Sequence, residues 1–259
     1  MKKALFQLFL LVIPFAGLQA QLQIGLTGSV NGRVIMHQNN YGFSKLAYKP
    51  VTGIGYGVFV GYRFGENSKH SVNLEISSMA LGQAYEEEIS KNNISNLYYK
   101  NIDLEYWQIP LVLNLGINNA ANGNVIYITL GGYYGSLSSA NIDWKIDGND
   151  VTLVTFHESQ NRNPNIDQIK AKLGSSEDPA DYKELFNKAD FGAILGIGAK
   201  WKLSGQLGLI TELRGGYGLA DINAEDWQFP STDETYKKST NAFGGLRIGL
   251  SYSFGNSGE

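Results

Sequence analysis

The stretch GGLRIGLSYSFG, Gly244 to Gly255, sets Leu246, Ile248, Leu250, Tyr252 and Phe254 on one side of an extended chain. Gly245, Arg247, Gly249, Ser251 and Ser253 fall on the other, because successive side chains of a β-strand point to opposite faces. Seven earlier stretches alternate in the same way and predict strands. They are Leu22 to Val30, Gly53 to Phe64, His70 to about Tyr85, about Leu104 to Ile117, Val125 to about Leu137, Asp190 to Leu203, and Leu207 to Leu219. Their apolar faces carry, for example, Ile54, Val58 and Val60, then Val72, Leu74 and Ile76, then Ile109, Leu111 and Leu113. The opposite faces carry glycines, serines and the occasional charge. In a soluble sandwich the apolar face turns to a core. In a membrane barrel it turns to lipid, and the polar face lines the lumen.

The connections discriminate between these. Gly65–Lys69, Asn118–Asn124 and Ser204–Gln206 are short, whereas Asn31–Thr52, Glu86–Asp103, Ser138–Ala189 and Ala220–Asn241 are long. An even number of strands, with short turns at one end and long loops at the other, is the plan of an outer-membrane barrel. The outward aromatics fall into two groups. Tyr62, Phe64, Trp201, Tyr252 and Phe254 lie near the short turns, and Tyr56, Trp107, Phe191 and Tyr217 lie near the long loops. Aromatic rings with a polar atom favour the two water–lipid boundaries. A strand tilted at roughly 40° rises roughly 25 Å between Phe191 and Trp201, the height of a barrel's apolar band. The expected fold is all-β: an eight-stranded antiparallel transmembrane β-barrel with short periplasmic turns and long extracellular loops. A lipocalin-like carrier is the remaining fold alternative.

The N-terminus adds an address. Lys2 and Lys3 precede a largely apolar run from Ala4 to Gly17, followed by Leu18-Gln19-Ala20. That order reads as a secretory signal cleaved after Ala20, although Leu18 departs from the usual small residue. Residues 1–20 are therefore expected to be signal peptide and 21–259 the barrel domain. The chain has no cysteine, which excludes disulfides, thiolate metal sites and a lipoprotein anchor. Its formal charge of −3 gives no reason to expect nucleic acid.

An eight-stranded barrel has an interior only wide enough for side chains to fill. The inward residues include Arg63, Glu75, Lys200, Glu212, Arg214 and Arg247. Charges in so confined a space are costly unless paired, so Glu75 and Glu212 are expected to be bridged by arginines, with glycines making room for long side chains. A ladder of such charges along an ion path is the functional alternative.

Three stretches carry a family resemblance. YWQIPLVLNLG (Tyr106–Gly116), VNLEIS (Val72–Ser77) and DFGAILGIGAKWKL (Asp190–Leu203) resemble the fourth, third and sixth strands of the PorT-like outer-membrane β-barrel proteins, an eight-stranded, porin-annotated family of Gram-negative bacteria. The GLSYSF end also fits, since such barrels tend to finish on an aromatic that the insertion machinery recognises; here Gly255–Glu259 follow it. The resemblance implies outer-membrane localisation. It also implies contact with outer-membrane lipid and lipopolysaccharide, and possible envelope partners at the loops. Its motifs specify strands rather than chemistry, and it implies no cofactor.

Catalytic and metal-binding patterns are sparse. The histidines are His37, His70 and His157, with no paired metal spacing. His157 beside Glu158 and Ser159 is one candidate for acid–base chemistry at the rim and His37 another, each against a solvated loop side chain. Asp143, Asp147, Asn149 and Asp150 lack the spacing of a calcium loop. Glu86-Glu87-Glu88 reads as a solvated run. Asp178-Pro179 predicts the start of a short helix through Tyr182, Leu185 and Phe186, a lid or plug. The leading expectation is a non-enzymatic scaffold or loop-mediated binding protein with a closed lumen. A narrow solute or ion channel and a rim-active enzyme are the alternatives.

Overall fold

The computed structural model describes residues 21–91, 94–117, 123–159, 165–229 and 235–254; the expected signal peptide lies outside them. Eight long strands form the wall: β1 (Gln21–Met36), β3 (Val51–Phe64), β4 (His70–Lys91), β5 (Ile94–Gly116), β6 (Val125–Ile146), β8 (Ala189–Ser204), β9 (Leu207–Gly218) and β10 (Thr240–Ser253). Each pairs antiparallel with its chain neighbour. β1 meets β10, and β4 meets β5, so the sheet closes on itself. Two short strands lie off the ring: β2 (Ala47–Lys49) on the outer part of β4, and β7 (Asn149–Asp150) on β6.

The alternation read from the sequence is the alternation of the wall. Leu26, Ile54, Val58, Leu111, Leu195, Leu213, Leu246 and Ile248 are all exposed on the outside. Their strand neighbours Gly25, Gly53, Val112, Ile194, Glu212, Arg214 and Arg247 turn inward. So many exposed apolar side chains on one contiguous surface are unsustainable in water and suited to lipid.

Three sequence expectations need correction at the long-loop end. Glu86–Asp103 is not a loop. β4 and β5 stay paired out to Lys91 and Ile94, with Glu86 opposite Tyr99 and Glu88 opposite Leu97. Beyond the lipid there is no demand for an apolar outer face, so the period-two signal fades while the ladder continues. The Glu86–Glu88 run is consequently strand: Glu86 pairs with Lys49, and Glu87 accepts from the Ala47 amide at 3.1 Å. The fifth strand likewise continues past Leu137 to Ile146. A bulge places Ser138 as an extra residue where Glu105 faces Ser139 and Tyr106 faces Leu137. It switches the inward parity from Tyr133 and Leu137 to Ile142 and Trp144. The alternation therefore breaks at the residue where the sequence reading ends the strand.

Two helices, α1 (Leu153–Glu158) and α2 (Ile166–Leu173), fill part of the third long connection. The expected helix through Tyr182 and Leu185 is a single 3₁₀ turn, Tyr182–Leu185. Its cap is Asp181, not Asp178: the Asp181 carboxylate accepts from the Lys183 amide at 2.9 Å. Asp178 instead accepts from the Leu153 amide at 2.8 Å and from the Tyr182 hydroxyl at 2.9 Å, tying that turn to α1. The acidic patch is a hairpin turn. Asp147 and Gly148 take positive φ, Asp147 accepts from the Leu97 amide, and Asp150 pairs with Lys145.

Candidate functional site

The lumen is filled in layers. Nearest the short turns, Gln23 donates from Nε2 to Asn73 Oδ1 at 2.8 Å. Lys200 Nζ donates to Gln23 Oε1 and Ser253 Oγ, each at 3.1 Å. Arg63 lies at the same end, its Nε donating to the Ser68 carbonyl at 3.1 Å.

The next layer is a quartet of charges. Arg214 Nη1 lies 2.8 Å from Glu75 Oε2, and its Nε lies 3.0 Å from Glu212 Oε1. Arg247 reaches Glu75 Oε1 at 3.0 Å and Glu212 Oε2 at 2.9 Å. Thr129 adds a hydroxyl donor to Glu212 at 2.7 Å. All four charged side chains are buried. Two cations alternate with two anions, and each carboxylate is held by both arginines. That arrangement offsets desolvation, which an isolated buried charge cannot do. Arg63 and Lys200, grouped with these four on sequence, are not part of the quartet.

Above the quartet, Asp190 Oδ2 accepts from the Tyr133 hydroxyl and from Asn241 Nδ2, each at 3.1 Å. Toward the long-loop end apolar side chains join buried polar ones, Asn31 and Gln108 among them. Met79, Val112, Ile194 and Phe243 line the barrel, and the core continues without a break into the loops. Inward glycines create the space for rings. A Cβ at Gly216 would stand 2.3 Å from the Phe243 ring, and one at Gly198 would stand 2.7 Å from the Tyr127 ring.

The mouth is closed by a folded cap. Tyr41 and Phe43 from the first long connection, Phe156 from α1, Ile169 from α2, Leu185 and Phe186 from the 3₁₀ segment, and Trp227 and Phe229 from the last connection are all buried. They pack on Tyr85, Tyr98, Ile102 and Trp144 of the strand extensions as one cluster. Phe156 is its hub, with ring centroids 4.9 Å from both Phe43 and Trp144. Leu185 and Phe186, read from the sequence as part of a lid or plug, lie in this cluster; the other loop residues are scattered in sequence and have no shared period.

Two basic side chains are buried inside this cap, outside the lipid-spanning part. Lys100 Nζ donates to the Asn39 carbonyl at 3.1 Å and lies 4.9 Å from the Trp144 ring centroid and 5.3 Å from that of Tyr41. Burial pushes its ammonium down to about 7. His157 is 1% exposed, which corrects the solvated-loop expectation. Its Nδ1 lies 2.7 Å from the Leu153 carbonyl one helical turn back, and its ring meets Tyr41 edge-on at 5.4 Å. Burial, with Lys100 nearby, holds the imidazole down at about 3, so it is neutral at physiological pH. It is a packed core side chain, not a rim base. His37 is exposed at the end of β1 with φ 62°, and His70 Nδ1 accepts from the Gly116 amide at 3.2 Å. Among the described residues no three His, Asp or Glu side chains gather as a metal site.

The outward aromatics line up by register. Tyr56 faces Ser78, Ser78 faces Trp107, and Phe191 faces Tyr134. Tyr134 belongs with the long-loop group, and sequence reading missed it because the Tyr133–Tyr134 pair obscures the parity. Tyr217 also lies toward that end. Tyr62, Phe64, Trp201, Tyr252 and Phe254 sit toward the short turns, where the Trp201 indole donates to Thr211 Oγ1 at 3.0 Å.

Residues 18–224 match the family described as outer membrane protein beta-barrel domain. The chain belongs to that family. Membership places this barrel in the outer membrane of a Gram-negative bacterium and makes its exposed apolar surface the lipid-facing one. Among solved structures, Neisserial surface protein A is 10% identical, with a TM-score of 0.40, covering 91% of this chain and 99% of that one. The attachment invasion locus protein Ail of Yersinia pestis is 9% identical at a TM-score of 0.34, covering 90% and 98%. OprG of Pseudomonas aeruginosa is 14% identical at 0.37, covering 92% and 98%. No curated protein matches the chain in sequence.

Proposed function

We propose that this outer-membrane barrel is a non-enzymatic protein of the PorT-like type, with a closed lumen, acting as a scaffold or binding protein through its folded cap. The observation that carries the reading is the double closure of the lumen. The Glu75–Arg214 bridge spans the barrel at mid-depth, and the Phe156-centred cap fills the mouth above it. The polar space beside the quartet is a cavity of about 30 Å³, the room of about two waters. The cap is packed like a small globular core, so it presents a fixed outer surface to a partner instead of mobile loops. In this reading the outward apolar face meets outer-membrane lipid and lipopolysaccharide. The strand ending near Phe254 is what the insertion machinery recognises, and envelope proteins are partners at the cap. Burial of His157 favours this over a rim enzyme built on that histidine.

Planar-bilayer conductance of the refolded protein tests it. A silent bilayer, with folding verified by heat-modifiable gel mobility, is the expected result. Reproducible single-channel steps that change in Arg214→Ala would overturn it in favour of a narrow channel.

A further inference from the structure

We infer that the short-turn end of the lumen is a binding site for a small phosphate-class oxyanion, with Lys200 as its anchor. A cavity of about 30 Å³ opens there, lined by Gln23, Arg63, Lys69, His70, Asn73 and Lys200 among others. No aspartate or glutamate contributes to its wall. The carboxylates one layer deeper, Glu75 and Glu212, are each held by both Arg214 and Arg247, so that layer is neutral and offers Lys200 no counter-charge.

An ammonium has three donors. Lys200 directs two of them to neutral oxygens, those of Gln23 and Ser253, and the third has no partner among the described residues. The rest of the wall is suited to the same ligand. His70 accepts from the Gly116 amide through Nδ1, so its ring proton sits on Nε2 and adds a donor. Cationic groups surrounded by lipid and barrel wall are weakly screened, and their field concentrates where the cavity opens to water. The cavity has the room of about two waters. An oxyanion can place one or two oxygens on Lys200 and its neighbours and leave the others in the open mouth. This site is independent of the cap and of whether the lumen conducts.

The test is a calorimetric titration of the refolded full-length protein in detergent micelles with inorganic phosphate at constant ionic strength, alongside its thermal midpoint. Saturable heat is expected, with a midpoint that rises with phosphate and not with chloride. Lys200→Met should weaken binding by about tenfold or more, the worth of one charge-assisted hydrogen bond, while Lys200→Arg retains it. Asn73→Asp places a competing carboxylate in the wall and should abolish binding, which keeps the test open if Lys200→Met fails to fold. No saturation with the unmodified protein, or equal saturation in Lys200→Met or Asn73→Asp, would overturn the proposal.

Discussion

Glu75 and Arg214 meet across the full width of the barrel. In the ring order β4-β3-β1-β10-β9, with β8, β6 and β5 completing the circle, three strands separate β4 from β9 on either side. The two side chains nevertheless touch, Arg214 Nη1 to Glu75 Oε2, at 2.8 Å. A pair of side chains can bridge a diameter only where the barrel is as narrow as eight strands make it. The inward Gly196 leaves room for the Glu212 carboxylate, which a Cβ there would approach to 2.9 Å.

Removing one member of that quartet leaves a buried carboxylate short of a partner. Arg214→Met is expected to destabilise the barrel by about 3–5 kcal/mol, read as a lower urea midpoint for unfolding from lipid vesicles. Arg214→Met combined with Glu75→Gln should cost less than the sum of the two, because the orphaned charge is gone. Additive losses would show that the pair does not couple.

The lipid-facing assignment is checked by a charge at mid-height. Ile248 is exposed on the outer wall between Gly28 and Thr211 of the flanking strands. Ile248→Arg should cost about 2–4 kcal/mol of folding into bilayers. Ile248→Ala, which introduces no charge, should fold readily. Equal behaviour of the two variants would mean that this face does not meet hydrocarbon.

The cap and the wall should separate energetically. Phe156 is fully buried at the hub of the cap but touches no lipid-spanning strand segment in the aromatic cluster, whose strand partners Tyr98 and Trp144 lie on the outer extensions. Phe156→Ala should cost the cap about 3–5 kcal/mol. The barrel itself should keep its heat-modifiable gel mobility. Limited proteolysis should then cut within residues 165–190 at low protease, where the unmodified protein resists. Protection unchanged in the variant would argue that the cap does not depend on this ring.

The buried bases make cap closure pH-dependent, in one direction. The closed cap holds Lys100 at about 7 against 10.5 when solvated, and His157 at about 3 against 6.5. Between each pair of values the open cap binds a proton that the closed cap has lost, so closure strengthens as pH rises through about 3–6.5 and again through about 7–10.5. Tyr41 and Tyr85, whose hydroxyls burial pushes up, begin to favour the open form near the top of that range. Tryptophan fluorescence of the cap during urea titrations at several pH values would read this. Lys100→Met should flatten the upper window and leave the lower one. A flat profile between pH 7 and 10 in the unmodified protein would contradict the buried-lysine account.

The eight strands and their facing were legible in the sequence alone, and so was the sorting of connections except at Glu86–Asp103, which is paired strand. Their cause is local: a strand in lipid must show an apolar side chain at every second position, and that demand writes itself into Leu246, Ile248 and Leu250 or Ile54, Val58 and Val60 without reference to any other strand. Where lipid ends, the demand ends, and the reading stopped at Tyr85, Leu104 and Leu137 although the ladders run on. The inward charges were visible as candidates, but ring closure decided that Arg214 and Arg247 clasp both Glu75 and Glu212, while Lys200 and Arg63 stand apart. Only the tertiary structure put Tyr41, Phe156, His157, Leu185 and Trp227 into one core. Those residues come from three connections far apart in the chain, and burial there depends on which loops the closed barrel brings over the same mouth.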